Sequence, residues 1–360
     1  MNILLVSDAW CPQVNGVVRT LENTLSELRS LGHRVDVIGP DRFRNLPLPG
    51  YPEIPLSVFP GARVGRLIDE WAPDCIHIAT EGPLGWAARR HCLRRNRPFT
   101  TSLHTRFPEY LAMRAPVPLS LGYSILRRFH APATRTLVRT RSQVSELTGR
   151  GFEHLEIWPG AVDTRLFRPR QGRLLDLKGP IALYAGRIAP EKSLEDFLAA
   201  EWPGSKVLIG DGPARERLQG AYPEARFLGY RQGEELAALM ASADVFVFPS
   251  RTDTLGLVML EAMACGVPIA AYPVPGPKDI VLSGTTGCLD EDLGRAMAGA
   301  LRIDPVDCRA FATAFSWRES TLEFLRMLAP LPAVDCAPEQ APAVASASGP
   351  DFDSNHLGAG

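Results

Sequence analysis

Two carboxylates, Asp253 and Glu261, stand eight positions apart in the stretch SRTDTLGLVMLEAMACGVP, which follows the apolar run Val245 to Phe248. That run has the length and the β-branched and aromatic content of a buried strand. A polar loop then opens a helix near Leu255 or Gly256, whose free N–H groups and positive dipole end face the space beyond the strand. Such an end holds an anion or sugar hydroxyls. Gly256 lets a ligand approach the backbone from Leu255 to Leu257, and Glu261, about two turns on, accepts hydrogen bonds from a vicinal diol. Taken alone, the pair also fits an ordinary surface loop with Asp253 as N-cap and Glu261 solvated. Arg187 and Lys192 are two cations that follow the apolar run IALYAG. They suit a diphosphate, Arg by a forked contact and Lys as a point charge, although a solvated surface pair is the plainer alternative.

These residues need strands to deliver them. Ile3 to Val6 is a continuous apolar run of the kind found in central parallel strands. It leads through Asn15-Gly16 to a helix with Val18, Leu21, Leu25 and Leu28 on one face, closed by Gly32, and Val35 to Ile38 is the next strand. Residues 40–64, rich in Pro and Gly, read as a surface excursion. Val64 to Trp71 is a short helix, Cys75 to Ile78 a strand, and Trp86 to Arg95 a helix. Glu81, at a strand's carboxyl end, lies on the rim where such sheets bind ligands, or caps the helix that follows. The strand Phe99 to Leu103 delivers His104-Thr105-Arg106-Phe107 to the same rim.

A second alternating half begins at Ile181, with a helix over Ala189 to Ala200, the turn Gly210-Asp211-Gly212-Pro213 and a short strand Phe227 to Tyr230. Glu234 to Ala241 is a helix, Pro268 to Ala271 a strand, Pro273 to Asp279 a loop and Leu293 to Leu301 a helix. A last helix runs from Phe315 to Leu328. Beyond Ala329 the Ala/Pro/Ser-rich tail reads as disordered, and its Asp351-Phe352-Asp353 carries no catalytic weight.

At 360 residues two domains are expected. Formal charge is −1, unevenly spread: residues 1–170 hold 23 Arg and no Lys against 15 acids (23 − 15 = +8), and the rest 16 basic against 25 acidic (16 − 25 = −9). Within 85–141 there are 12 Arg and one acid, Glu109, interleaved with Leu, Tyr, Ile and Phe and broken by Pro116, Pro118 and Pro132. Such a span suits an anionic bilayer surface; a solvated charged face is the bland alternative, and nucleic acid ranks last because no recognised module accompanies the charge. The seven scattered Cys point to free thiols in a reducing cytosol and to no cysteine-based metal site. The start MNILLVSD is too short for a signal peptide and no apolar run approaches about 20 residues, so membrane contact is expected to be peripheral.

The opening stretch resembles the donor-binding signature of the family-4 retaining glycosyltransferases, as do PQVNGVVR around Gly16, HTRF at His104, GRIAPEKSLEDF and the G-D-G-P turn, all in order over roughly residues 1 to 328. The resemblance implies an α/β fold of GT-B type, two Rossmann-like domains facing across a cleft. Residues 1–168 would form the acceptor domain, 169–314 the nucleotide-sugar domain, 315–328 a helix crossing back and 329–360 the tail.

It implies catalytic roles for His104, Arg187 and Lys192, and donor binding by Gly16, Gly186, Asp253, Leu255, Gly256, Leu257, Glu261 and Tyr230, with Glu81 and Arg106 on the acceptor rim. His104 would meet the sugar as a neutral imidazole or ease charge on the leaving phosphate as an imidazolium. No metal or other cofactor is implied. Two departures stand out: Asp253 replaces the more usual Glu, and Gly160-Ala161 stands where R-G-V-D is common. HIATEGPLGWAARR resembles the glycolipid-forming branch, which implies transfer of a hexose from UDP-glucose, a UDP-glucuronate-type donor or GDP-mannose to a lipid such as diacylglycerol, at the inner face of the cytoplasmic membrane. A nucleotide-sugar epimerase of the same fold and a non-enzymatic nucleotide-binding scaffold are the other classes.

Overall fold

The computed structural model describes residues 1–331 apart from 12, 14, 49–50 and 113–117. In chain order the strands of the first lobe are β1 (Asn2–Val6), β2 (Arg34–Ile38), β3 (Asn45–Leu48), β4 (Tyr51–Ser57), β5 (Cys75–Ile78), β6 (Thr100–Ser102), β7 (Arg135–Val138) and β8 (Leu155–Ile157). Six of them form one parallel sheet in the order β2-β1-β5-β6-β7-β8. Its helices are α1 (Gly16–Ser30), α2 (Gly61–Trp71), α3 (Pro83–Arg94), α4 (Phe107–Ala112), α5 (Leu119–His130) and α6 (Arg141–Gly149). Because side chains alternate across a strand, Ile3 and Leu5 pack with Leu21, Leu25 and Leu28 of α1, while Leu4 and Val6 pack with Val64, Ile68 and Leu84 on the other face. The unbroken apolar run at the start of the chain is what a strand covered on both faces requires.

The second lobe repeats the plan with β9 (Ile181–Ala185), β10 (Ser205–Ile209), β11 (Arg226–Phe227), β12 (Val245–Phe248), β13 (Ile269–Ala271) and β14 (Gly287–Leu289), ordered β11-β10-β9-β12-β13-β14 and all parallel. Its helices are α7 (Leu194–Ala199), α8 (Arg215–Ala221), α9 (Gly233–Met240), α10 (Leu257–Ala264), α11 (Pro277–Ile280), α12 (Leu293–Ala300), α13 (Pro305–Ala312) and α14 (Trp317–Met327). Helix α14 returns to the first lobe: Phe324 sits in the core with Ile3, Leu21 and Trp158, and Trp158 Nε1 donates to Ser320 Oγ at 3.1 Å.

Four expectations are corrected. The excursion 40–64 contains the antiparallel hairpin β3-β4, whose alternation is hidden in the sequence by Pro47 and its register partner Pro55. The helix expected over Ala189 to Ala200 is broken by Ser193 at φ +51°, so a 3-10 turn over Pro190–Lys192 precedes α7. Strand β7 lies inside the arginine-rich span. Pro330 and Leu331, assigned to the tail, pair with Cys75 and Asp74 of the first lobe; residues 332–360, with Asp351-Phe352-Asp353, lie outside the described residues.

Candidate active site between the two lobes

The loop from β12 to α10 is the centre of the site. Gly256 caps α10 at φ +78°, and a Cβ there would meet Phe248 Cζ at 2.7 Å, so glycine is required by both conformation and space. Lys192 Nζ bonds Asp253 Oδ1 at 2.6 Å, which ties the 3-10 turn after β9 to this loop. Glu261, on α10, is reached from the first lobe by Arg19 Nη1 at 3.3 Å. Burial raises the Glu261 pKa and Arg19 partly offsets that. Thr254 Oγ1 donates to the His104 carbonyl at 2.8 Å, so the loop also touches the end of β6.

The glycines around Arg187 hold backbone against backbone. A Cβ on Gly210 would lie 1.9 Å from the Gly186 carbonyl oxygen and one on Gly212 2.4 Å from that of Ile188. This packing puts the turn Gly210-Asp211-Gly212 directly against the segment that carries Arg187, which is partly buried. Gly16 differs: it opens α1 behind the N-cap Asn15, and a Cβ there would meet nothing within 4 Å. Leu255 is buried, its side chain lying where any side chain on Gly160 would strike it at 2.5 Å, so only its backbone is available to a ligand. Leu257 packs against the same point.

His104 is partly buried. Its Nε2 is 2.8 Å from Ser102 Oγ and its ring meets Trp158 edge-on at 5.7 Å. Burial, then the charge of Arg139, then His77 hold its pKa well below the ordinary histidine range.

Three contacts therefore link the predicted residues: Lys192 with Asp253, Glu261 with Arg19 on the helix that Gly16 opens, and the His104 carbonyl with Thr254, while Gly186 and Arg187 lie on the segment that leads from β9 to Lys192. Three expected members make none of these contacts. Arg106 pairs with Glu146 and lies 3.8 Å from Glu109. Glu81 bonds His130 Nε2 at 3.2 Å and does not cap α3; the cap is Asp8, whose carboxylate accepts from Leu84 and Gly85 N–H and whose pKa burial raises to about 6. Tyr230 is exposed beyond the edge strand β11 and bonds Gln232. Sequence reading passed over Arg19, Asp8, Thr254 and Arg139. Only Arg19 carried a signal, as a cation in the first turn of the helix that Gly16 opens.

Residues 14–166 match the family described as Glycosyltransferase Family 4 and residues 179–303 that described as Glycosyl transferases group 1. A GDP-mannose-dependent alpha-mannosyltransferase of Mycobacterium tuberculosis is 32% identical over 317 residues, covering 80% of this chain and 83% of that protein. The chain belongs to glycosyltransferase family 4. Within this family it is also 27% identical over 317 residues to the alpha-monoglucosyldiacylglycerol synthase of Acholeplasma laidlawii, across 75% of this chain and 79% of that one. The fold of this glycosyltransferase matches that of Anabaena HepE solved with UDP and glucose, at TM-score 0.68 and 16% identity over 91% and 98% of the two chains.

The arginine-rich span resolves into two populations. Among its described members, Arg89 bonds the carbonyls of Arg128 and Phe129, Arg97 pairs with Asp69, Arg135 bonds the Met327 carbonyl, Arg139 bonds the Trp158 carbonyl, and Arg106 is held as above. Arg90, Arg94, Arg95, Arg127, Arg128 and Arg141 are exposed. For Arg97 and Arg106 the acid comes from outside the window, and for Arg89 and Arg135 a backbone carbonyl serves instead, which a sequence window cannot see. On α5, Leu121 and Ile125 are 52% and 50% exposed, one turn apart and beside Arg127 and Arg128. Among the described residues no helix is long and apolar enough to cross a membrane.

Proposed function

We propose that this family-4 glycosyltransferase moves a hexose from a nucleoside-diphosphate sugar to a membrane lipid, with retention of anomeric configuration and without a metal ion. The observation that carries this reading is that Lys192 and the His104 backbone both contact the loop before α10, at Asp253 and Thr254, while Arg19 of the first lobe reaches Glu261 on α10 itself. In the proposed mechanism Arg187, Lys192 and the free N–H groups of α10 meet the charge that develops on the departing diphosphate. Glu261 takes the ribose hydroxyls in exchange for Arg19. Asp253 and the backbone from Leu255 to Leu257 hold the sugar, and His104 lines the acceptor side. Asp8 and Glu81, the first-lobe carboxylates nearest the strand ends, are committed to the α3 cap and to His130. Attack and departure are therefore assigned to one face, with a leaving phosphate oxygen taking the acceptor's proton.

The lipid acceptor is favoured by the exposed apolar pair on α5 beside two arginines, each worth on the order of 1 kcal/mol at an anionic bilayer. The likeness to a diacylglycerol-sugar synthase agrees with it. Such an enzyme would sit peripherally on the inner face of the cytoplasmic membrane. GDP-mannose is the first donor to test, as the donor named for the mycobacterial relative. Incubation with GDP- and UDP-sugars plus lipid extract should release nucleoside diphosphate and yield a lipid-bound α-hexoside. Donor consumption without any acceptor, or no consumption at all, would sink this assignment.

A further inference from the structure

Beneath the site runs a chain of hydrogen bonds. Thr100 Oγ1 lies 2.9 Å from His77 Nδ1, His77 Nε2 3.1 Å from Ser102 Oγ, and Ser102 Oγ 2.8 Å from His104 Nε2. Ser102 Oγ also donates to the Ala79 carbonyl at 3.3 Å. A carbonyl only accepts, and with the single Ser102 proton turned to it the two Ser102 lone pairs accept from both imidazoles. Each histidine then carries its proton on Nε2, and His77 Nδ1 accepts from Thr100. One orientation satisfies every member. His104 Nδ1 takes no part in that chain and is turned away from Ser102.

The other wall is cationic. Arg139, at the end of β7, is 6% exposed; its Nη1 and Nη2 donate to the Trp158 carbonyl at 3.1 Å and to Thr20 Oγ1 at 3.2 Å, and its Cζ lies 4.7 Å from the centre of the Trp158 ring. No carboxylate pairs with it among the described residues. Trp158 touches both this guanidinium and the His104 ring. A cation buried without a counter-ion penalises a second positive charge nearby. The groups whose charge acts on His104 are Arg139 and His77, and burial keeps His77 neutral.

We propose that Ser102 and Arg139 are positioning residues that fix His104 as the neutral, Nε2-protonated imidazole, so that its Nδ1 lone pair is the acceptor offered to a hydroxyl of the transferring sugar. This rests on the reading of His104 above and chooses between its two possible roles: hydrogen-bond acceptor, not cation.

Imidazole nitrogen NMR of the full chain, from pH 5 to 8, tests it. In the wild type His104 should show a protonated Nε2 and a bare Nδ1 throughout. Ser102→Ala should mix the two tautomers. Arg139→Met should bring the imidazolium into view at the acid end and depress kcat there by about tenfold relative to pH 8, as expected for one misprotonated contact; Arg139→Lys, which keeps the charge, should restore the neutral ring. A wild-type Nδ1–H tautomer, or an Arg139→Met ring that stays neutral at every pH, overturns the proposal. A His104→Ala enzyme of wild-type turnover would instead overturn the sugar contact while leaving the tautomer assignment intact.

Discussion

Arg19 on the first turns of α1 reaches Glu261 on α10 across the lobes, Nη1 to Oε1 at 3.3 Å, with the Glu261 side chain only 13% exposed. The ribose proposed to bind at Glu261 must take this carboxylate from the arginine. A charge left buried without its partner is costly, whereas a neutral replacement of both is not. Arg19→Met should therefore lower stability by about 1–3 kcal/mol, and adding Glu261→Gln should recover part of that loss in guanidinium denaturation. Simple additivity of the two variants would refute the coupling.

Glu261→Ala tests the other half of the same pair. Donor KM should rise about tenfold or more, for the loss of a charge-assisted hydrogen bond to the ribose, while the acceptor KM changes little. Initial rates at varied donor and fixed acceptor give the answer.

Lys192→Ala removes a cation assigned to the departing diphosphate. Turnover should fall by about 10²-fold or more with the folded state retained, since Lys192 lies on a 3-10 turn and not in the core. A chelator should leave wild-type turnover unchanged. Loss of activity on chelation, restored by a divalent ion, would show that protein cations do not meet the phosphate charge alone.

Burial holds the His77 pKa down at about 3, against about 6.5 in the unfolded chain. Between those values the folded state binds fewer protons, so the stability His77 gives is complete above about pH 6.5 and drains away as pH falls towards 3. Asp8 acts in the opposite sense: raised to about 6 from an unfolded value near 3.9, it costs stability as pH rises through that window. The two partly cancel in the wild type. The stability difference between wild type and His77→Gln should therefore shrink by roughly 1 kcal/mol per pH unit below about pH 6.5, read by denaturation at pH 7, 6 and 5.

Leu121→Asp with Ile125→Asp should abolish flotation with anionic vesicles, and Arg127→Glu with Arg128→Glu should weaken it in a salt-dependent way. Wild-type protein that floats equally with neutral vesicles would remove the electrostatic part of the proposal.

Strands were most legible where an unbroken apolar run reports burial on both faces, as in Ile3 to Val6, Ile181 to Ala185 and Val245 to Phe248. By contrast β7, buried from Thr136 to Val138, opens on Arg135 inside the arginine-rich span and was passed over. The hairpin β3-β4 was not legible, since Pro47 and Pro55 interrupt the strand pattern. Within the site, the residues of one loop or one turn could be found from their order: Asp253 to Glu261, and Arg187 with Lys192. Arg106 and Glu81 looked equally well placed by their position after strands, yet each has an internal partner, Glu146 or His130, more than 35 residues away.

By itself the sequence determined the two α/β halves, the glycines where backbones touch and the polar groups at the strand ends, because these follow from local periodicity and from conformations that few residues can adopt. Tertiary structure alone decided which charges meet. Arg19 with Glu261, Lys192 with Asp253, and Trp158 with both Arg139 and His104 each join separate elements, and electrostatic interaction depends on distance in space and on burial, neither of which is written in the spacing along the chain.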